Sequence, residues 1–266
     1  MFSGEAKSVQ IAILAGGLAT RMFPLTEDIP KSMLKVYGRP FLEHQLDLLR
    51  ASGVKDIVLC IGHLGDKIKG YFGDGERFGV GIRYSEEENG LLGTAGALKK
   101  AEGLLEDEFL VMYGDSYLLL DYGGIMDYFR QTSRLGLMVV YKNYDRYDAS
   151  NVVVTDGLVK IYDKRTKTAE MIYIDAGLSA LSKQALALVP QNEVCSLEYL
   201  FGRLVQSQQL LAYETRQRFY EVGSPAGLED FQRLVGAKGI GKLSSPSILE
   251  RSTRSVSEDE DCLHRG

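Results

Sequence analysis

Residues 13–35, Ile-Leu-Ala-Gly-Gly-Leu-Ala-Thr-Arg-Met-Phe-Pro-Leu-Thr-Glu-Asp-Ile-Pro-Lys-Ser-Met-Leu-Lys, gather the residue types that an anion site needs. An apolar run, Val9 to Leu14, enters the pair Gly16-Gly17; Arg21 follows four residues after Gly17, and Pro30-Lys31 begins nine residues after Arg21. Paired glycines let backbone N–H groups approach an anion closely, because no Cβ stands between them. A guanidinium forks onto phosphate oxygens and an ammonium adds a point charge. Leu14, Ala15, Gly16, Gly17 and Thr20 thus read as a loop for a triphosphate, with Arg21 and Lys31 as its cations. Gly-Gly after a strand is by itself only a tight turn; the company of Thr20, Arg21, Pro30 and Lys31 at these offsets makes it more. The segment does not end in Gly-Lys-Ser/Thr and is not Gly-x-Gly-x-x-Gly, so neither an ordinary P-loop NTPase nor a dinucleotide-binding dehydrogenase is indicated.

Two further stretches bear on the same chemistry. Gly114-Asp115 directly follows the apolar run Phe109 to Tyr113. Ligands of open α/β sheets gather at the carboxyl ends of strands, and a carboxylate there suits Mg²⁺ for a nucleoside triphosphate. Taken alone the dipeptide would be a surface turn; after a buried strand, opposite the diglycine loop, the metal reading is favoured. In Glu86-Glu87-Glu88-Asn89-Gly90-Leu91-Leu92-Gly93-Thr94-Ala95-Gly96-Ala97, Gly93 and Gly96 at a loop-to-helix junction allow close approach to a flat base, whose edge a nearby polar side chain could read. The glutamates could equally be a solvated acidic turn, the preferred reading for Glu86.

The elements that must position these residues alternate. The pattern predicts strands at Val9–Leu14, Asp56–Ile61, Gly81–Tyr84, Glu108–Tyr113 and Gly136–Tyr141. Helices are expected from Pro40 to Gly53, over Leu64–Phe72 and Thr94–Leu104, and from about Gly124 to Thr132. This βαβα order argues an α/β fold with a doubly wound, mostly parallel Rossmann-like sheet. After Tyr141 the character changes. Asn151–Thr155, Asp156-Gly157 and Leu158–Tyr162 read as a hairpin with a type I′ turn. An apolar run Ile172–Ser182, a helix from about Ser196 to Gln206, strands Leu210–Tyr213 and Arg218–Val222, and a helix Pro225–Val235 follow. One domain over 1–235 is expected, with a nucleotide lobe at about 8–141 and a second, α+β lobe at about 142–235. The Gly-, Ser- and acid-rich stretch 236–266 is expected to be a disordered tail.

Composition bounds the remainder. The 266 residues are 45% hydrophobic and 25% charged with a formal net charge of −5, which argues against broad nucleic-acid binding. Met1 to Lys7 is short and polar, so no signal peptide is expected, and no apolar run approaches the roughly 20 residues of a membrane span. Cys60, Cys195 and Cys262 make neither a disulfide framework nor a zinc site, and Cys60 reads as a core residue. A cytoplasmic location is the expectation.

The opening segment resembles the signature of the sugar-phosphate nucleotidyltransferases, Leu-Ala-Gly-Gly-x-Gly-Thr-Arg-x-x-Pro-Leu-Thr, then Pro-Lys-x-Met or Leu. Ala19 stands where the third glycine is usual, so a methyl group crowds the phosphates or restricts φ. The resemblance runs from about Val9 to Val235 and implies the nucleotide-diphospho-sugar transferase fold with a sugar-binding extension. It places Glu88 and Gly93 against the nucleobase and gives Asp115 a Mg²⁺ ion. Phe219-Tyr220-Glu221-Val222-Gly223-Ser224-Pro225 is similar to aromatic-x-Asp-x-Gly-Thr-Pro, which makes Glu221 the second metal ligand, its oxygen moved by about one C–C bond. Ser224-Pro225 also reads as a helix start. Asp163-Lys164 resembles Glu-Lys-Pro, implying contact with the sugar and its phosphate, although Asp163, Lys164, Arg165 and Lys167 could form a polar loop. Ile174-Asp175-Ala176-Gly177-Leu178 is similar to Asn-Ala-Gly-Ile-Tyr, so the sugar would lie on Gly177 with Asp175 bonding its hydroxyls. Glu198 would lie near the sugar or serve as a helix-start carboxylate.

The activity implied is Mg²⁺-dependent joining of a nucleoside triphosphate and a sugar 1-phosphate to give a nucleotide sugar and pyrophosphate. Pro30 to Met33 and Gly38 to Leu42 look most like the short branch. That branch holds heptose and mannose 1-phosphate guanylyltransferases and N-acetylmuramate 1-phosphate uridylyltransferases. The leaning is GTP with a manno-configured hexose or heptose 1-phosphate; uridylyl, cytidylyl or thymidylyl transfer stays open. Ala19 and Glu221 keep a non-catalytic nucleotide-binding homologue open as well. A glycosyltransferase would carry Asp-x-Asp where this chain has Gly-Asp-Ser. No left-handed β-helix follows, so an acetyltransferase partner is not expected, while a homo-oligomer is possible.

Overall fold

The computed structural model describes residues 8–88 and 90–238. In chain order the strands and helices are β1 (Gln10–Leu14), β2 (Lys35–Val36), β3 (Arg39–Pro40), α1 (Phe41–Ala51), β4 (Asp56–Ile61), α2 (Gly65–Phe72), β5 (Gly81–Glu86), α3 (Gly93–Lys100), β6 (Glu108–Tyr113), β7 (Ser116–Leu118), α4 (Tyr122–Arg130), β8 (Gly136–Lys142), β9 (Val152–Thr155), β10 (Leu158–Tyr162), β11 (Tyr173–Ser182), α5 (Leu197–Gln206), β12 (Leu210–Thr215), β13 (Phe219–Glu221) and α6 (Pro225–Lys238). Among the described residues one sheet holds nine strands, in the order β5-β4-β1-β6-β11-β8-β12-β10-β9.

The central strands β1, β4, β6 and β11 are buried on both faces because apolar residues fill both sets of alternate positions. Ile11 and Ile13 of β1 face one core, with α1, α4 and α6; Ala12 faces the other, with α3 and α5. Met112 and Val111 of β6 divide in the same way. The result is three layers, helices on each side of a sheet. β5, β4, β1 and β6 run parallel, as the alternation of elements leads one to expect. The sheet as a whole is mixed, because β11 enters antiparallel between β6 and β8. The elements after Tyr141 therefore extend the first sheet and share its two cores.

Local chemistry explains the boundaries. Asp156 and Gly157 both take positive φ (52° and 70°), the type I′ geometry expected of the β9–β10 hairpin. Tyr37 and Gly38 (49° and 81°) do the same between β2 and β3, a hairpin the sequence pattern does not announce. The helix expected over Thr94–Leu104 stops at Lys100, and a 3₁₀ turn, Glu102–Leu104, follows. Ser196 caps α5 by accepting from the Tyr199 N–H at 3.2 Å. Of the expected tail, 236–238 close α6, and 239–266, Cys262 included, lie outside the described residues. No helix among the described residues is long and apolar enough to cross a membrane.

Candidate active site

The site lies at the carboxyl ends of β1, β4 and β6. Ala15 N donates to Cys60 O at 2.8 Å, which carries the chain out of β1 beside the end of β4. His63 N then donates to Gly16 O at 3.3 Å, so the diglycine loop is pinned to the β4–α2 turn. Gly16 is required by packing: a Cβ there would stand 2.7 Å from Glu87 Oε2 and 3.0 Å from Gly62 N. Gly17 differs, since a Cβ there would meet nothing within 4 Å, which leaves its backbone open to a ligand. A cavity of about 210 Å³ opens against this loop. Leu14, Ala15, Gly16, Gly17, Lys31, Gly93, Thr94 and Asp115 all line it, so eight residues chosen from the sequence share one space. Thr20 and Arg21 do not line it; both are exposed on the turn Thr20–Met22.

Asp115 is fixed from three sides. Gly114 N donates to Leu14 O at 2.9 Å, and a Cβ on Gly114 would come within 2.6 Å of that same oxygen. β7 pairs antiparallel with β13, setting Ser116 opposite Glu221, and Val222 N donates to Asp115 O at 2.9 Å. Gln45 of α1 is buried and donates from Nε2 to Tyr113 O (3.2 Å) and Ser116 O (2.7 Å), the carbonyls on either side of Gly114-Asp115. Two carboxylates more than a hundred residues apart thereby meet. The point where a Cβ would stand on Gly223 is 2.5 Å from Glu221 Oε2, 2.8 Å from Asp115 Oδ2 and 3.3 Å from Arg21 Nη2. Lys31 Nζ donates to Asp115 Oδ2 at 2.6 Å, an ion pair half-buried at the cavity wall.

Asp115 and Glu221 offer only oxygen donors, and Mg²⁺ is usually held by one or two carboxylates with phosphate and water completing its shell. Among the described residues no group of three or more His, Cys, Asp or Glu suits a metal, so the remaining ligands would come from substrate and water. Glu221 also serves the helix start: Ser224 Oγ donates to its Oε1 at 2.6 Å, Gly223 N bonds its Oε2, and Gly227 N donates to Ser224 Oγ at 3.0 Å. Each carboxylate oxygen keeps a lone pair beyond these bonds, so the cap and the metal roles are compatible.

The base-reading stretch is arranged differently from its expectation. Glu88 is exposed on a turn and does not line the cavity, while Glu87 does. Glu87 N donates to Ile61 O at 3.0 Å, continuing β5 alongside β4, and this turns its carboxylate inward. Glu87 Oε1 accepts from Leu92 N at 2.6 Å, and burial pushes its carboxyl above the usual range. Three successive glutamates give no hint of which one faces in; only the register of β5 decides. Glu86 pairs with Lys69 at the surface, as preferred for it. Gly93 and Gly96 give room to the chain itself. A Cβ on Gly93, whose φ is +73°, would lie 2.7 Å from Cys195 O, and one on Gly96 3.0 Å from Glu193 O. Cys195 O in turn accepts from Ala95 N (2.9 Å) and Gly96 N (3.1 Å), capping α3.

The remaining residues surround Tyr113, which lines the cavity. Lys164 Nζ lies 5.0 Å from its ring centre and 3.8 Å from Asp175 Oδ2. Asp175, expected to bond the sugar's hydroxyls, is buried instead: it does not line the cavity, and its two oxygens accept from Tyr162 and Gly177 within the chain. Gly177, at φ +94°, sits in the bulge between Asp175 and Ser179, where a Cβ would strike Ser116. Asp163 turns away: its Oδ1 accepts from Arg165 N (2.7 Å) and Thr166 N (2.9 Å), an Asx turn that holds its carboxyl below the ordinary range. Glu198 stands 3.8 Å from Arg165 Nε in the first turn of α5. Cys60 also lines the cavity, and burial raises its thiol to about 12, which keeps it protonated. Ser32, not singled out by the sequence, lines the cavity with a buried hydroxyl that has no partner among the described residues.

The sequence model of the family described as nucleotidyl transferase matches residues 11–171. The D-glycero-alpha-D-manno-heptose 1-phosphate guanylyltransferase of Campylobacter jejuni is 30% identical over 228 residues, 85% of this chain and 99% of that protein. The UTP–glucose-1-phosphate uridylyltransferase of Synechocystis is 32% identical over 212 residues, 73% of this chain but 55% of that protein. The mannose-1-phosphate guanyltransferase of Candida albicans is 31% identical over 224 residues, 80% of this chain and 60% of that protein. The chain thus spans little more than half the length of the last two. Among solved structures, HddC from Yersinia pseudotuberculosis complexed with GMP-PN superposes with a TM-score of 0.71 at 27% identity, over 85% of this chain and 99% of that one.

Proposed function

The chain belongs to the nucleotidyl transferase family, and from that premise we propose that it joins GTP to a manno-configured hexose or heptose 1-phosphate, releasing pyrophosphate. The observation that carries the reading is the meeting of Asp115, Glu221 and Arg21 around Gly223, at the end of a cavity walled by Gly16, Gly17 and Lys31. A cavity walled by a diglycine loop, Lys31 and Asp115, with Arg21 and Glu221 beside Asp115 at Gly223, suits a polyphosphate accompanied by a divalent ion. Similarity to the heptose 1-phosphate guanylyltransferase over nearly its whole length supports the choice of base and sugar. So does Glu87, whose carboxylate can accept from guanine N1–H and N2–H₂.

In the proposed reaction an oxygen of the sugar 1-phosphate attacks the α-phosphorus of the triphosphate in line. The bond from that phosphorus to the bridging oxygen breaks, and pyrophosphate leaves with its electron pair. The nucleophile is already ionised, so positioning and charge neutralisation supply the acceleration. Arg21 is assigned to the leaving pyrophosphate, Lys31 to the α-phosphate and Lys164 to the acceptor phosphate. Lys31 is ion-paired with Asp115, so an anionic substrate competes for that ammonium. Mg²⁺ held by Asp115 and Glu221 would neutralise phosphate charge. The deciding experiment incubates the protein with each triphosphate and a panel of sugar 1-phosphates, with and without Mg²⁺, and follows pyrophosphate. Release with GTP and a manno-configured acceptor is expected. Release with UTP, CTP or dTTP alone would reassign the base; none from any pair would overturn the reaction.

A further inference from the structure

Asp175 is a carboxylate whose side chain is 2% exposed. A buried charge is costly unless it is both paired and hydrogen-bonded. Its Oδ1 accepts from Gly177 N at 2.9 Å, and its Oδ2 accepts the Tyr162 hydroxyl at 3.0 Å. The Tyr162 phenol also interacts with Tyr113, which lines the cavity, so it stands between the cavity wall and the carboxylate. Lys164 supplies the opposite charge from 3.8 Å, beyond hydrogen-bond reach. The ammonium is flanked by the rings of Tyr113 (5.0 Å) and Tyr162 (5.5 Å), distances at which an aromatic face attracts a cation. It is thus held by field and by ring faces, with none of its N–H donors spent on Asp175. Lys31 is the contrast, committed to Asp115 at 2.6 Å.

We infer that Tyr162 is a positioning residue for the acceptor: by satisfying Asp175 Oδ2, it keeps Lys164 standing off from its counter-ion with its donors free for the acceptor phosphate. The inference rests on the proposed assignment of Lys164. Without the hydroxyl, Asp175 Oδ2 would be a buried acceptor short of a partner, and the Lys164 ammonium stands 3.8 Å away. The lysine would close to contact, spending a donor and leaving the acceptor's place. Burial beside Asp175 pushes the Tyr162 phenol far up, so it stays a donor at any working pH.

Steady-state pyrophosphate release by the full chain, with the wild type, Tyr162→Phe, Asp175→Asn and the double variant, tests this. Tyr162→Phe should raise the acceptor KM about five-fold or more and leave the nucleotide KM within about two-fold. On the Asp175→Asn background the same substitution should change the acceptor KM by less than about two-fold, because no carboxylate remains to draw the lysine in. An equal effect in both backgrounds, or an unchanged acceptor KM in Tyr162→Phe, overturns the inference. So does a matched rise of both KM values with a lowered Tm, which would mark a purely structural tyrosine. Loss of turnover in Asp175→Asn alone also overturns it, since Asp175 would then contact the acceptor itself. A wild type that releases no pyrophosphate overturns the proposed reaction, a separate result.

Discussion

Lys31 and Asp115 each bring one charge to the cavity wall, and each is the other's partner. Lys31→Ala or Asp115→Ala should slow turnover at least about 10²-fold, as expected when a group aimed at developing phosphate charge is removed. Near-normal rates of pyrophosphate release in both would remove them from the chemistry. Ala19 carries the one departure in the opening motif, and the structure gives it φ +53° and ψ +35°, the left-handed region. An L-residue there is strained by roughly 1–2 kcal/mol, and glycine would relieve it at the expense of a floppier unfolded chain. Ala19→Gly should therefore stabilise the protein by about 0.5–1 kcal/mol in urea denaturation, with turnover retained. A drop in stability would mean that the methyl group packs usefully. The motif residues were legible because their chemistry is stated by type and spacing. Glu87 and Ser32 were not, since neither type nor spacing marks which side chain points into the cavity.

The junction of α3 with the 193–196 segment depends on missing side chains. Gly93→Ala would combine a positive φ with a Cβ 2.7 Å from Cys195 O. It should destabilise by at least about 2 kcal/mol and weaken nucleotide binding, because Thr94 follows directly in the cavity wall. Denaturation midpoints and calorimetry with GTP would check both. α1 offers a pH-dependent fastening: the buried His44 Nε2 bonds Val36 O of β2 at 3.1 Å. Burial lowers its pKa more than the carbonyl raises it, so the unfolded chain takes up the proton first. Its contribution is fully present above about pH 6.5 and is lost as pH falls from there through the folded value. Stability should decline between pH 7.5 and 5.5, and His44→Gln should flatten that part of the slope. An identical slope in the variant would place the titration elsewhere. Helix and strand positions were legible from periodicity; the β2–β3 and β7–β13 pairings were not, because strands of two or three residues carry no period.

At the scale of the molecule, α6 packs against α1 and β7. Phe231 packs at 4.9 Å from Phe41, 4.8 Å from Tyr117 and 5.6 Å from His44. Phe231→Ala should cost about 3–5 kcal/mol and also lower turnover, since the turn 221–224 that opens α6 carries Glu221. Loss of stability with full turnover would show that the turn holds without its helix. What the sequence by itself determined is the nucleotidyl transferase family and the parallel half of the sheet. Glycines beside cations mark the loop that lines the cavity, and apolar runs spaced by helices announce buried parallel strands. Tertiary structure alone decided that β11 enters antiparallel between β6 and β8, that β13 pairs with β7 to bring Glu221 to Asp115, and that Glu87 rather than its neighbours faces inward. The physical reason is common to all three: local residue pattern sets periodicity and turn geometry. Which strand lies beside which, and in what register, is settled only when both faces of the sheet are covered at once.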